Sequence, residues 1–309
     1  MKTIRFIPIL LLFLASPLLA GDTQEEKDLR AAASIGDLEM VERLLDAGVS
    51  PNTANKFGKN ALMMAVENDN IETVVALLER GADVNARTVA GCSALTFSAE
   101  NGHPAITAML LERGAHLHDR TRAGWDALMI AARYGITDMV EQLLFKGADP
   151  NAADKHGRNA LMMAAEKGHR DTAAMLLKHK APINGRDKNG ATALMLAADQ
   201  GHIETLQLLI DRGADMNAQD SDGATALIWA VSQGEHESAK RLIEAGADVN
   251  LADIDGVTPL MEAARDGQAE TVQQLLRQGA RKSDTNRDGQ TAADIADKKH
   301  QQKVLSLLK

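Results

Sequence analysis

Asp187-Lys188-Asn189-Gly190-Ala191-Thr192-Ala193-Leu194-Met195-Leu196-Ala197-Ala198 opens a unit of 33 residues that ends at Gln219. Its first four residues read as a tight turn, because glycine takes the positive φ that such turns need. Thr192 then offers a hydroxyl as a helix N-cap, and residues 193–198 continue as a short helix closed by Gly201. A second helix is expected from about His202 to Asp211, with Leu206, Leu209 and Ile210 at i, i+3 and i+4 on one face. Gly213 falls where a left-handed C′ residue ends such a helix.

The same unit fills the chain. The turn glycine returns every 33 residues as Gly58, Gly91, Gly124, Gly157, Gly190, Gly223, Gly256 and Gly289, with no insertion. An apolar pair keeps the beat from Leu44-Leu45 to Leu275-Leu276. Two further glycine series follow it, broken only by Asp69 in one and Lys180 in the other. One helix pair cannot bury its apolar face alone, so neighbours must stack into a solenoid. Length by itself suggests about two domains; the unbroken period points instead to one elongated all-α domain.

The stretch Asp253-Ile254-Asp255-Gly256-Val257-Thr258-Pro259-Leu260 resembles the opening motif of an ankyrin repeat, and Gly246-Ala247-Asp248-Val249-Asn250 resembles its closing motif. The resemblance covers roughly residues 25–309 and implies units at 22–54, 55–87, 88–120, 121–153, 154–186, 187–219, 220–252 and 253–285, with a partial C-terminal cap at 286–309. It implies a protein-binding solenoid with short hairpin-like turns and no enzymatic activity. Where the family carries a histidine, this chain has Met63, Thr96, Met129, Met162, Met195, Ile228 and Met261, which read as core filler. Lys180, replacing a C′ glycine with Pro182 just behind, predicts an altered loop and a weak point in the stack.

Residues 1–20 stand outside the repeat. Lys2 and Arg5 precede an apolar run from Phe6 to Leu14, and Ser16–Ala20 suits a cleavage segment, the pattern of a secretory signal peptide. The expectation is an exported, periplasmic or secreted chain of residues 21–309. Its single cysteine, Cys92, has no intramolecular partner and is a candidate reactive thiol beside a turn. The net charge of −9 argues against nucleic acid and anionic membrane as partners.

Chemistry is harder to find. No phosphate loop, nucleophile elbow or metalloprotease helix occurs in the sequence. Asp284–Gly289 imitates half of a calcium loop, but Ile295 stands where the bidentate glutamate belongs. His103, with His169 and His202, fills a recurrent slot at the start of the second helix, and His116 and His118 read as polar loop substitutions rather than a ligand set. No catalytic residues, metal site or cofactor are therefore expected.

Recognition should then lie where units differ. The resemblance implies a concave face of turn tips and first helices. On those slots, aromatic and cationic side chains crowd the N-terminal half, and these are the usual interface anchors. The expected partner-binding patch is Phe57, Phe97, Arg122, Trp125, Arg133, Tyr134 and Arg158, whereas Trp229 and Phe145 are expected to pack. Among exported bacterial ankyrin proteins, some block the producer's own cell-wall hydrolases and others support peroxide defence. Both roles, and a metal-binding or enzymatic role on the same scaffold, remain open at this point.

Overall fold

A computed structural model describes residues 22–309. The expected leader, residues 1–20, lies outside the described residues. Helices α1 (Gln24–Ile35) and α2 (Leu38–Asp46) form the first pair, α3 (Ala61–Glu67) and α4 (Ile71–Glu79) the second, and α5 (Ala94–Asn101) and α6 (Pro104–Glu112) the third. Then come α7 (Ala127–Tyr134) with α8 (Thr137–Phe145), α9 (Ala160–Glu166) with α10 (Arg170–Lys178), and α11 (Ala193–Asp199) with α12 (Ile203–Asp211). The last three pairs are α13 (Ala226–Gln233) with α14 (His236–Glu244), α15 (Pro259–Arg265) with α16 (Ala269–Arg277), and α17 (Ala292–Lys298) with α18 (Gln302–Leu308). First helices pack on first helices and second on second, so the chain is an all-α stack of paired helices. The only extended pairing among the described residues is two isolated antiparallel bridges, Ala54 to Asn60 and Ala153 to Asn159.

Each first helix starts the same way. Asn60, Ser93, Asp126, Asn159, Thr192, Thr225, Thr258 and Thr291 each accept the N3 amide on a side-chain oxygen, satisfying one of the orphan donors of the first turn. Burial pushes the Asp126 carboxyl above its ordinary range, while the Met129 amide and Arg120 pull against that rise.

Second helices after α2 have no such cap; their N-cap side chains reach sideways instead. Nε2 of His103, His169 and His202 lies 3.3, 3.0 and 3.0 Å from the carbonyls of Glu67, Arg133 and Glu166 in the preceding first helix. These histidines close the carbonyl end of the helix next door. The rings of His169 and His202 lie over a glycine of that pair, where a Cβ on Gly135 would meet the His169 ring at 2.4 Å, while His103 faces Asp69.

The core is apolar and thin-walled. Met63, Met129, Met162, Met195 and Met261 are buried to the last per cent or so, beside Leu77, Leu110, Leu143 and Leu176. The methionines therefore act as packing, as their helical spacing suggests. Among the described residues no helix is long and apolar enough to cross a membrane.

Closing loops carry a second set of ties. Asn52, Asn85, Asn184, Asn217 and Asn250 each accept, through Oδ1, the amide 31 residues ahead at 2.7–2.9 Å. Two of these ties are missing. His118 takes the place of one asparagine, and Pro182 has no amide to offer Asn151. Asn151 turns instead to the carboxylate of Asp149 at 3.2 Å.

The loop at Lys180 corrects half of one expectation, its altered path, and leaves the other half, the weak point, standing. Lys180 donates to Leu177 and Ala181 to Leu176 at 3.0 Å, as glycine loops do elsewhere, so the path of the chain is unaltered. Two departures remain at this loop, Lys180 itself, held at φ 66, and the tie lost at Pro182. Lys180→Gly should raise stability by about 1 kcal/mol, because the side chain is strained there and the glycines in equivalent loops touch nothing. An unchanged urea midpoint would reject this account.

Candidate interaction surface

The surface is built from its turns. Asp187 Oδ1 accepts the amides of Asn189 and Ala191, each at 2.9 Å, which folds residues 187–191 into a compact tip. Asp154, Asp220 and Asp253 do the same in their own turns. At the tip, the residue after this position, whether it is Asp, Thr or Asn, donates its amide to the preceding turn. Seven of these bonds, from Val89 to Phe57 through to Arg287 to Asp255, run along the stack at 2.7–3.3 Å. The variable side chains thus stand on a hydrogen-bonded rail and not on free loops.

Turn tips and first helices line two depressions on this face. The first, about 340 Å³, is walled by Phe57, Val89, Cys92 and Phe97, with Lys59 and Arg122 at its edge. Phe57 and Val89 are 63% and 59% exposed, too much apolar surface for side chains that serve only the core. Lys59 Nζ sits 4.7 Å from the Phe97 ring centre and pairs with Glu67. Arg122 has no carboxylate partner among the described residues, and its Nη2 donates to the Val89 carbonyl at 2.9 Å. Cys92 is half-buried in the wall, its amide held by Thr88 Oγ1 at 3.0 Å.

The second depression, about 840 Å³, runs across the following turns from Trp125 to Trp229. Trp125 Nε1 donates to the buried carboxylate of Asp154 at 3.0 Å, using the oxygen that the turn leaves free. Arg133 lies 5.3 Å from the Trp125 ring centre, and its Nη1 is 3.6 Å from Glu166, which also pairs with Arg158.

The structure therefore divides the expected patch. Phe57, Phe97 and Arg122 share the first depression, while Trp125, Arg133 and Arg158 form a linked group beside the second. Tyr134 is exposed at the end of α7 and joins neither depression.

Of the two residues expected to pack, one departs from its place. Trp229 packs against the core as expected, half-buried on α13, and its indole also donates to Asp220 Oδ2 at 2.8 Å and lines the second depression. Phe145, expected to pack, is 83% exposed at the end of α8. The reason lies in its register: the equivalent positions are Asp46, Glu79, Glu112, Lys178, Asp211, Glu244 and Arg277, a slot that faces water. Val89, neither aromatic nor charged, carries no anchor signature in the sequence, yet it walls the first depression.

Among the described residues, no group of three or more His, Cys, Asp or Glu side chains is arranged to hold a metal ion. No curated protein matches the chain. The family model described as ankyrin repeats (3 copies) matches residues 29–121, 128–220, 180–253 and 227–309. With these matches across residues 29–309 and its stack of paired helices, the chain belongs to the ankyrin-repeat family, whose repeats serve as protein-interaction modules.

Proposed function

We propose that this chain is a non-enzymatic binding module that docks a folded protein partner against its turn tips and first helices. The observation that supports this is the first depression. It offers exposed Phe57 and Val89, with Phe97 behind them and unpaired Arg122 at the rim, all mounted on hydrogen-bonded turns. A rigid surface of that kind binds with little shape change on either side. Its chemistry suits a partner that presents an apolar side chain flanked by carboxylates.

The leader-like residues 1–20 favour a site of action outside the cytoplasm, in the periplasm or beyond the cell. In that setting the module acts as an inhibitor or self-protection protein toward a cell-wall hydrolase, filling the enzyme's cleft with its anchors. A role beside a peroxide-defence enzyme has one observation in its favour, the position of Cys92 in the wall of the same depression.

Capture from envelope extract tests the reading. Mature protein should retain a defined partner that a Phe57→Ala, Arg122→Ala double variant loses, by at least about tenfold in apparent affinity. Equal capture by both baits would remove the first depression from the interface.

A further inference from the structure

The second depression differs in charge from the first. Along it lie Asp154, Asp187, Asp220 and Asp222, against Arg158, which is already paired with Glu166. Lys155 and Lys188, on the same turns, lie outside its lining. Asp154 and Asp220 spend their second oxygens on the two tryptophans. In contrast, Asp187 Oδ2 and both carboxylate oxygens of Asp222 accept no hydrogen bond among the described residues.

The tryptophans are tied at the indole nitrogen, one at either end of the groove. Half-buried rings anchored in this way are fixed in orientation and still present surface to an occupant. An indole face attracts cations; one face of Trp125 already carries Arg133, and nearby unpaired carboxylates strengthen the attraction of the indole surface left open. No free cation of the protein enters the groove to satisfy them. The first depression has the opposite sign at its rim, so one occupant chemistry cannot suit both.

Shape narrows the choice further. The groove crosses four successive turns, and the last three bring carboxylates to it, Asp154, Asp187, and Asp220 with Asp222. Neighbouring packed helices stand about 8–10 Å apart. An extended chain covers that distance in roughly three residues at about 3.3 Å each.

We propose that the groove from Trp125 to Trp229 binds an extended, basic segment of a partner protein. Arg or Lys side chains at every second or third position lie between the indoles and against Asp187 and Asp222. The proposal rests on the turn-tip face being the interaction surface, but it uses none of the residues of the first depression.

The chain has only two tryptophans and both line the groove, so intrinsic fluorescence reads occupancy directly. The probe is a blocked peptide of four Gly-Ser-Arg repeats, with a Gly-Ser-Glu peptide and a neutral chito-oligosaccharide as comparisons. The arginine peptide should change tryptophan emission saturably, and added salt should weaken it. Asp187→Asn with Asp222→Asn should raise its Kd by about tenfold or more. Asp187→Asn keeps the Oδ1 acceptor of the turn. Asp222→Asn alone, which disturbs no side-chain hydrogen bond, serves if the double variant unfolds and should give several-fold weakening.

Phe57→Ala with Arg122→Ala should bind the peptide as the unmodified protein does, which separates this test from that of the first depression. No emission change at millimolar peptide, equal response to the glutamate peptide, preference for the sugar, or an unchanged Kd in the Asn variants would each overturn the proposal.

Discussion

Gly223→Ala is expected to cost about 3 kcal/mol or more, while Gly289→Ala, the same change on the same beat, should cost only about 1–2 kcal/mol. Both glycines are left-handed, at φ 76 and 73, so a methyl group strains either backbone. Only Gly223 has a neighbour in the way. A Cβ there would stand 2.8 Å from the Ile254 amide nitrogen and 3.1 Å from the backbone of Asp253. These are atoms of the rail itself, where Ile254 donates to the Asp222 carbonyl at 2.9 Å, and they cannot swing aside like a side-chain end. Gly289 belongs to the last turn, with nothing within 4 Å. Urea unfolding of both variants separates strain from collision. Equal losses would mean that adjacent turns yield, and that the rail is softer than its geometry suggests.

The second large effect is at Asp154. Its Oδ1 holds the amides of His156 and Arg158 at 2.8 and 2.9 Å, and its Oδ2 holds the Trp125 indole at 3.0 Å. Asp154→Ala leaves all three donors without their acceptor in a buried place and should cost about 2–4 kcal/mol. Asp154→Asn keeps an acceptor for the two amides but turns an N–H toward the indole N–H. It should retain most of the stability and yet release Trp125. The two variants can be compared by unfolding midpoint and tryptophan emission. If Asp154→Asn left the emission unchanged, the indole would be held by its packing and not by the carboxylate.

Much of this architecture is legible in the sequence because the repeat states it many times. The unit read from Asp187 onward places a cap at Thr192 and helices at 193–198 and about 202–211; the structure has Thr192 as cap and helices at Ala193–Asp199 and Ile203–Asp211. His202 serves as the N-cap of α12, where its ring reaches the neighbouring pair. The rail was not legible, since its bonds join residues about a full period apart and leave no local pattern. It explains why the turn glycine admits no substitute in the interior of the stack, a stricter demand than positive φ.

The surface is only partly legible. Composition of the variable slots points to Phe57, Phe97 and Trp125 because aromatic residues are rare in this chain. It cannot tell which of them share a depression, since that depends on how neighbouring tips lean together. Trp229 illustrates the limit. One residue past an apolar slot on a first helix, it reads as core and does pack there, but that its indole also bonds Asp220 and walls the groove depends on a turn nine residues away. Phe145 could have been read correctly from its own column of charged residues.

The two missing asparagine ties bear on how the stack moves as a whole. Both flank the pair α7–α8, whose closing loop is joined to neither neighbour by the bond that ties most other closing loops. In a linear array, cohesion is the sum of nearest-neighbour couplings, so two weak links in succession set the boundaries of cooperative blocks. Amide hydrogen exchange should then reveal a slow block before α7, another after α8, and faster opening between them. That seam falls where the cation-rimmed depression gives way to the carboxylate groove. Each depression is then a rigid half of the face, and any adjustment to a partner that spans both is confined to this seam.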